Sequence, residues 1–581
     1  MKKLSFILLA ALAMFSPAIY AQEAAPAAEE KVPAYSPSYP ADTLAVVRLK
    51  SFETLGNAFD ELKKWVGEHP SVESLFDDEW QGVKKFDLRS AAAQYLDLTQ
   101  DEFDSYFEGA ITLIVGNNYQ WAQETKMLPV AMELTASSSD RAKEFIDMLK
   151  EEDGVLETSM EPEGVERIKI DITPVDEEGV SDAVEAPAAQ KNEMDIFVAQ
   201  EGSQIVLGNS LEYTIAAVKS LRTPMPSDNA FWTRVEGSDA AMWVDAQAVV
   251  AMVKAQMEAK KAAGGRGMDA KIIDELGLGE LEGLGVWATF VPLKLQLELS
   301  YSPSATGIAR IFNCTPTGLE PTPLIPADVD EFSIGRADIA CLWTELRRMA
   351  KIVVPATDVI YQGWSQQLEA SQGVNIDKQL FGALGNKYVF FTRGTKDRPE
   401  GSALYLAVND AVALQGGLDA FFGFFAQGKE FFDREKIAGI PVWRLKSEFQ
   451  SANAPPIAYA ITPQWVIVSV GDPTQMQELI ENAAKTQVES PIFARDAVKE
   501  VLANPSVTTF SHRPLKIALA NVAAAVMQIN ERQEQEKGAP AKPSAQKDFP
   551  SFHDVTESVI MWNENRPGSV MATIKIISNN E

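Results

Sequence analysis

The chain has 581 residues, with 82 acidic against 52 basic side chains, a net charge of −30, 46% hydrophobic and 23% charged residues. That mix describes a folded globular protein of more than one domain or of a duplicated unit. The acidity argues against nucleic acid and anionic membrane surfaces as partners, and two cysteines exclude a disulfide scaffold or zinc ribbon.

Residues 1–21 read as a secretory signal peptide. Lys2 and Lys3 precede an apolar stretch over 4–15, and Ala18-Ile19-Tyr20-Ala21 supplies small residues at a cleavage site. No later segment reaches the ~18 consecutive apolar residues of a membrane helix, so no transmembrane segment is expected in the mature chain. The expected location is the periplasm, with the extracellular space as the alternative. Residues 22–36, rich in Ala, Glu and Pro, read as a flexible spacer.

From here the sequence reads as one unit written twice. Pro40-Ala41-Asp42-Thr43 opens a strand-like run over 44–47, and Pro326-Ala327-Asp328-Val329 repeats that start 286 positions later. The helix behind each start carries the same apolar stripe. Phe52, Leu55, Phe59, Leu62 and Val66 match Ile339, Leu342, Leu346, Met349 and Val353 at a constant offset of 287. Further pairs follow in order: 97–115 with 375–391, 204–221 with 465–483, and a predicted hairpin over 293–312 with one over 557–577. The domains expected are repeat 1 over 37–315, a Pro-rich linker over 316–322 and repeat 2 over 323–581. Residues 173–193, acidic and without an aromatic, have no counterpart and read as a disordered insert. Polar breaks over 260–271 and 531–548 read as exposed loops. Leu293, Leu295, Leu297 and Leu299 alternate with polar residues, the mark of a half-buried antiparallel strand. The predicted fold class is α+β: two duplicated units, each a mainly antiparallel sheet with helices packed on one face.

The Pro-Ala-Asp-Thr start, the strand-Gly-Asx-helix steps at Gly208-Asn209 and Gly471-Asp472, and the small-polar stretch before Phe231-Trp232 resemble an exported bacterial family defined only as a domain of unknown function. The resemblance implies export and an α+β fold. It implies no activity, cofactor or catalytic residue.

No catalytic signature is present: no G-x-S-x-G elbow, phosphate loop, H-E-x-x-H or C-x-x-C. The histidines His69, His512 and His553 are far apart, with His69 read as a surface cap at a helix end. Asp97, Thr99, Asp101 and Glu102 lack the order of a calcium loop and read as a helix start capped by Thr99. Asn209 and Asp472 read as caps in preference to anion sites. No catalytic, cofactor or metal residue is expected. Trp232, Trp243, Trp287, Trp443 and Trp465 read as core. Trp121 and Trp364, in polar surroundings, are the candidates for contact with a partner or sugar. Cys314 and Cys341 flank the linker in an exported chain, so they form either a disulfide or two buried thiols.

The function expected is a non-catalytic exported protein that binds a partner or ligand in the cell envelope. The alternatives are a hydrolase with a dispersed carboxylate site and a ligand-binding protein with a cleft between the repeats. A shallow apolar surface favours the first; a deep pocket with converging polar groups favours the others.

Overall fold

The computed structural model describes residues 43–73, 84, 86–116, 128–151, 154–171, 193–222, 234–235, 237–262, 270–329, 331–395, 398–426, 430–450, 454–472, 474–519 and 554–578. The signal peptide, the spacer, Trp121, the insert over 173–192 and the loop over 531–548 lie outside them. Two compact units emerge. The first joins 1–256 to 283–297, and the second joins 257–282 to 298–581. The stretches 257–282 and 298–315, assigned to repeat 1 from the sequence, therefore belong to the second unit, for reasons given below.

The chain begins with β1 (Thr43–Leu49), α1 (Phe52–Glu68), α2 (Pro70–Glu73), α3 (Leu88–Tyr95), α4 (Gln100–Tyr106), β2 (Ile111–Gly116) and β3 (Val130–Thr135). Next come α5 (Ser139–Glu151), β4 (Val155–Met160), β5 (Glu166–Asp171), β6 (Glu193–Glu201), β7 (Gln204–Gly208), α6 (Leu211–Arg222), β8 (Ala240–Asp245) and α7 (Ala246–Ala262). Then follow α8 (Ala270–Glu275), β9 (Leu281–Thr289), β10 (Lys294–Tyr301), α9 (Arg310–Asn313), β11 (Glu331–Arg336), α10 (Ile339–Val353) and α11 (Ala356–Gln372). The remainder is β12 (Leu384–Thr395), β13 (Arg398–Val408), α12 (Ala411–Ala426), β14 (Phe432–Ile437), β15 (Ile440–Leu445), β16 (Ile457–Ile461), β17 (Trp465–Val470), α13 (Met476–Asn482), α14 (Asp496–Ala503), β18 (Val507–Pro514), β19 (Ser558–Arg566) and β20 (Ser569–Ile577).

The fold is α+β, and the strand pairs whose register is resolved are antiparallel. In the first unit the order is β9–β8–β1–β2–β3–β7–β6–β5–β4. In the second it is β19–β18–β11–β12–β13–β17–β16–β15–β14, with β20 beyond β19. The two orders correspond strand for strand. The helix starts match as well: Ser51 caps α1 and Asp338 caps α10, each accepting a backbone N–H from the residue three positions on.

Helices cover both faces of each sheet, which corrects the expectation of one covered face. The period of two explains this. Met132 and Leu134 of β3 join the cluster under α1, α3, α4 and α5, while Ala131 joins the opposite cluster under α6. In the second unit Phe332, Ile334, Val389, Phe391 and Tyr405 pack with α13 and α14. The other face, through Val466, Leu406 and Val468, packs with α11 and α12. Strands buried on both sides carry near-continuous apolar runs, as Val389, Phe390 and Phe391 do.

Three local expectations are corrected. The hairpin predicted over 293–312 turns instead at 290–293: β10 pairs back onto β9, and 302–309 leads into α9. The leucine alternation of β10 does not set its burial, for Leu297 is exposed and Glu298 buried. The strand passes from one compact unit to the other between those residues, so no single wet face persists. The loop predicted over 260–271 is partly helical, with α7 reaching Ala262 and α8 starting at Ala270.

The stretches that change unit are tied down locally. Glu280 accepts hydrogen bonds from the Thr306 N–H at 2.7 Å, the Thr306 hydroxyl at 2.8 Å and the Gly307 N–H at 2.8 Å. Gly277, at φ +65°, lies against Gly307, where a Cβ on either would fall on the other's backbone. Arg348 of α10 donates to Gly307 O at 2.9 Å, and the Asp338 N–H donates to Cys314 O at 2.8 Å.

Cys314 and Cys341 are joined by a disulfide with Cα atoms 5.4 Å apart, inside the range such a bond spans. The bond pins the end of α9 to the first turn of α10. Alkylation of native, non-reduced protein followed by mass spectrometry is expected to label no thiol, and to label two after reduction. Two labelled thiols in the native sample would remove the bond.

Candidate functional site

The site builds from α10. Asp338 accepts the Cys341 N–H at 2.9 Å and fixes the helix start directly behind β11. Trp343, Arg347 and Lys351 then recur every four residues and share one flank of the helix. Pro355 breaks the chain, and α11 turns back alongside.

A carboxylate from the short helical segment Asp377–Phe381 locks the pair. Asp377 accepts hydrogen bonds from Trp343 Nε1 at 2.9 Å, the Tyr361 hydroxyl at 2.6 Å and Arg347 Nη1 at 3.0 Å. The Arg347 guanidinium lies 3.7 Å from the centre of the Tyr361 ring. Trp343 stacks on Phe381 with centroids 4.2 Å apart. Asp358 pairs with Lys351 at 3.1 Å and Arg347 at 3.5 Å. Burial works to raise the Asp377 carboxyl. Hydrogen bonds from Tyr361 and Trp343 and the charge of Arg347 outweigh it and hold the group below the usual range. Burial, then the bond to Asp377, pushes Tyr361 up to about 12. The cluster is a latch: apart from Arg347 Nε, which is buried without a hydrogen-bond partner among the described residues, its polar groups are spent on one another, and it sets α10 against α11.

What the latch presents is apolar. Val359 is 72% exposed, Ile360 54% and Trp364 52%, and Leu346, Val353 and Val354 of α10 and its end are near half exposure. Only Leu368 of α11 is buried. Large apolar side chains grouped on one face of a folded protein mark a contact surface. Trp364, chosen from sequence, is among these exposed residues.

The remaining sequence candidates fall elsewhere. His69 caps the C-terminus of α1, as read from sequence, but is buried and not on the surface: its backbone N–H donates to Trp65 O and Val66 O, and its ring Nδ1 lies 2.8 Å from Trp65 O. His512 is buried in the second unit's core, and His553 lies outside the described residues. Thr99 caps α4 in a capping box with Glu102, as read from sequence. Asn209 staples strands instead of capping, accepting from Val130 N–H and donating to Leu128 O. Asp472 likewise holds a turn through Thr474. Trp287 and Trp443 are buried, and Trp243 and Trp465 pack against the cores.

Asp328 of the repeated Pro-Ala-Asp start has a structural task. It pairs at 3.0 Å with Arg393, whose buried guanidinium also grips both oxygens of Glu478 at 2.9 and 3.0 Å. Among the described residues, no group of three His, Cys, Asp or Glu side chains is placed to hold a metal ion, and no helix is long and apolar enough to cross a membrane. Sequence reasoning missed the latch. The four-residue spacing of Trp343, Arg347 and Lys351 was a signal for one flank, but nothing local connects it to Asp377. In comparisons with known proteins, no family model, curated protein or solved structure matches the chain.

Proposed function

We propose that this chain is an exported, non-catalytic binding protein of the cell envelope, working in the periplasm, with a protein partner seated on the α10–α11 face. The observation that carries the reading is the solvent exposure of Val359 and Ile360, with Trp364 half exposed, on a helix pair locked by Asp377. A preorganised apolar surface binds without first ordering its own side chains. The sequence supports export through Lys2, Lys3 and the apolar stretch behind them.

The finer architectural reading belongs with this proposal: the chain is a duplicated unit. It is supported by matching strand orders, by the helix caps Ser51 and Asp338 standing 287 positions apart, and by stripes at the same offset. On this reading the resemblance to exported proteins of unknown function extends over both copies.

A photoreactive phenylalanine analogue at exposed Gln366 tests the binding role. Illumination of cells is expected to give one defined protein adduct, and Ile360→Glu is expected to abolish it. The absence of any adduct would sink the proposal.

A further inference from the structure

We propose that Arg48, Thr112 and Glu133 of the first unit form a binding site for a small free α-amino acid, whose carboxylate accepts from the Arg48 guanidinium and whose ammonium donates to the Glu133 carboxylate. The inference does not rest on the α10–α11 reading. It starts from strand register. Ala241 of β8, Arg48 of β1, Thr112 of β2, Glu133 of β3 and Val206 of β7 are successive cross-strand partners. Directly opposed residues share a face, so these five form one row on the α6 side of the sheet. Neighbouring strands lie about 4.8 Å apart, which sets the backbones of Arg48 and Glu133 about 10 Å from each other with the short Thr112 between them.

The row holds two charges that the chain leaves unmatched. Glu133 is 7% exposed, and its Oε1 is buried without a hydrogen-bond partner among the described residues. Arg48 makes no ion pair among the described residues, although its charge is felt at Glu133. The fold does not ask for either group. In the second unit Phe510, Ile334, Val389, Tyr405 and Ile467 cross the sheet in one row on the face packed with α13 and α14, and none of them is charged. A buried carboxyl without a partner costs stability. Side chains that lower stability and serve no contact of the fold mark a functional site.

Charge selects the ligand. A cation alone leaves Arg48 unmatched, and an anion alone leaves Glu133 unmatched, each at the cost of an uncompensated charge. A compact zwitterion answers both through charge-assisted hydrogen bonds, with the Thr112 hydroxyl between its ends. The net charge of −30 repels free anions and draws cations to the whole surface, whereas a zwitterion is subject to neither. Ala241 and Val206 bound the row, so the side chain it accommodates is small and apolar. Thr112 and Glu133 are buried and Arg48 is partly exposed, so the ligand enters past Arg48. The long Arg48 side chain covers that entrance and closes over the bound carboxylate.

Isothermal titration calorimetry of the purified full chain at pH 8, above the value of about 7 to which Glu133 is pushed, tests the inference with glycine, L-alanine and L-valine as probes. At least one is expected to bind, one molecule to each chain. Propionate, which lacks the ammonium, and L-alaninamide, which lacks the carboxylate, are expected not to bind. Arg48→Gln and Glu133→Gln are each expected to weaken binding by about 30-fold or more. Glu133→Gln removes a buried, unpartnered carboxyl, so binding lost in that variant is not folding lost. Met160→Gln, at an exposed position of β4, is expected to leave the affinity unchanged. Three probes that release no heat at millimolar concentration overturn the inference. So does binding that survives either Arg48→Gln or Glu133→Gln, a loss shared by Met160→Gln, or propionate or L-alaninamide binding as well as the amino acid.

Discussion

Replacing Glu133 by Gln is expected to gain about 3 kcal/mol of stability for the first unit between pH 4 and pH 8, relative to the unaltered chain. Glu133 sits mid-strand on β3, paired with Thr112 of β2 and Val206 of β7. Its side chain shares a face with Ala131, in a layer built from Val46, Ile114 and Val206. One carboxyl oxygen is buried with no hydrogen-bond partner among the described residues. Burial pushes the group up to about 7, moderated only by the charge of Arg48. The sign follows from proton binding. Between the ordinary glutamate value near 4.5 and about 7, the folded state holds a proton that the unfolded chain has released. Stability is therefore complete below pH 4.5 and falls as pH rises through 7. Gln keeps the shape and removes the proton, so its own cost is constant with pH. Hydrogen exchange of β3 peptides, corrected for intrinsic rates, reads the slope directly. An unaltered chain whose β3 protection is flat from pH 4 to pH 8 would defeat the argument.

Glu133 also shows where the sequence stopped being readable. Val-Ala-Met-Glu-Leu-Thr reads as a half-wet strand, with Glu on the solvent side. The helix that closes that side, α6, lies some eighty residues downstream, and no local pattern announces it. The same cause lies behind the correction from one covered face to two. Local signals fared better. The capping box at Thr99 and Glu102 and the matched stripes of α1 and α10 are set by residues a few positions apart, so spacing reveals them. The stripe itself could be read, but not its fate. Val66 and Val353 stand 287 positions apart in similar stripes, yet only the first is buried, because burial depends on what the rest of the chain lays over it. Trp364 was legible as an aromatic among glutamines. Asp377, which orients the helix beneath it, was not, since long-range convergence on one carboxylate leaves no periodic trace.

The second unit is expected to respond to acid in the opposite direction, because of His512. This residue lies on β18, opposite Phe332 of β11 and Ile560 of β19. Its ring stacks on Phe332 with centroids 5.6 Å apart, inside the layer that holds Phe510 and Phe493. Both ring nitrogens are buried without a hydrogen-bond partner among the described residues. Burial pushes the imidazole down to about 4, and the neighbouring Arg495 adds like-charge repulsion. Arg513, next along β18, points to the other face and pairs there with Glu331. The unfolded chain begins to bind a proton near pH 6.5, while the folded unit refuses it until about pH 4. Stability is therefore complete above pH 6.5 and is lost as pH falls through 4, by about 3 kcal/mol in all. His512→Leu removes the titrating ring and is expected to flatten that loss, whatever its constant effect on packing. Hydrogen exchange of β18 and β19 peptides provides the measurement. Acidification from pH 7 to pH 5 should loosen them while it tightens β3 in the same sample, and His512→Leu should abolish only the loosening. Loosening that persists in His512→Leu would assign the acid response to another group.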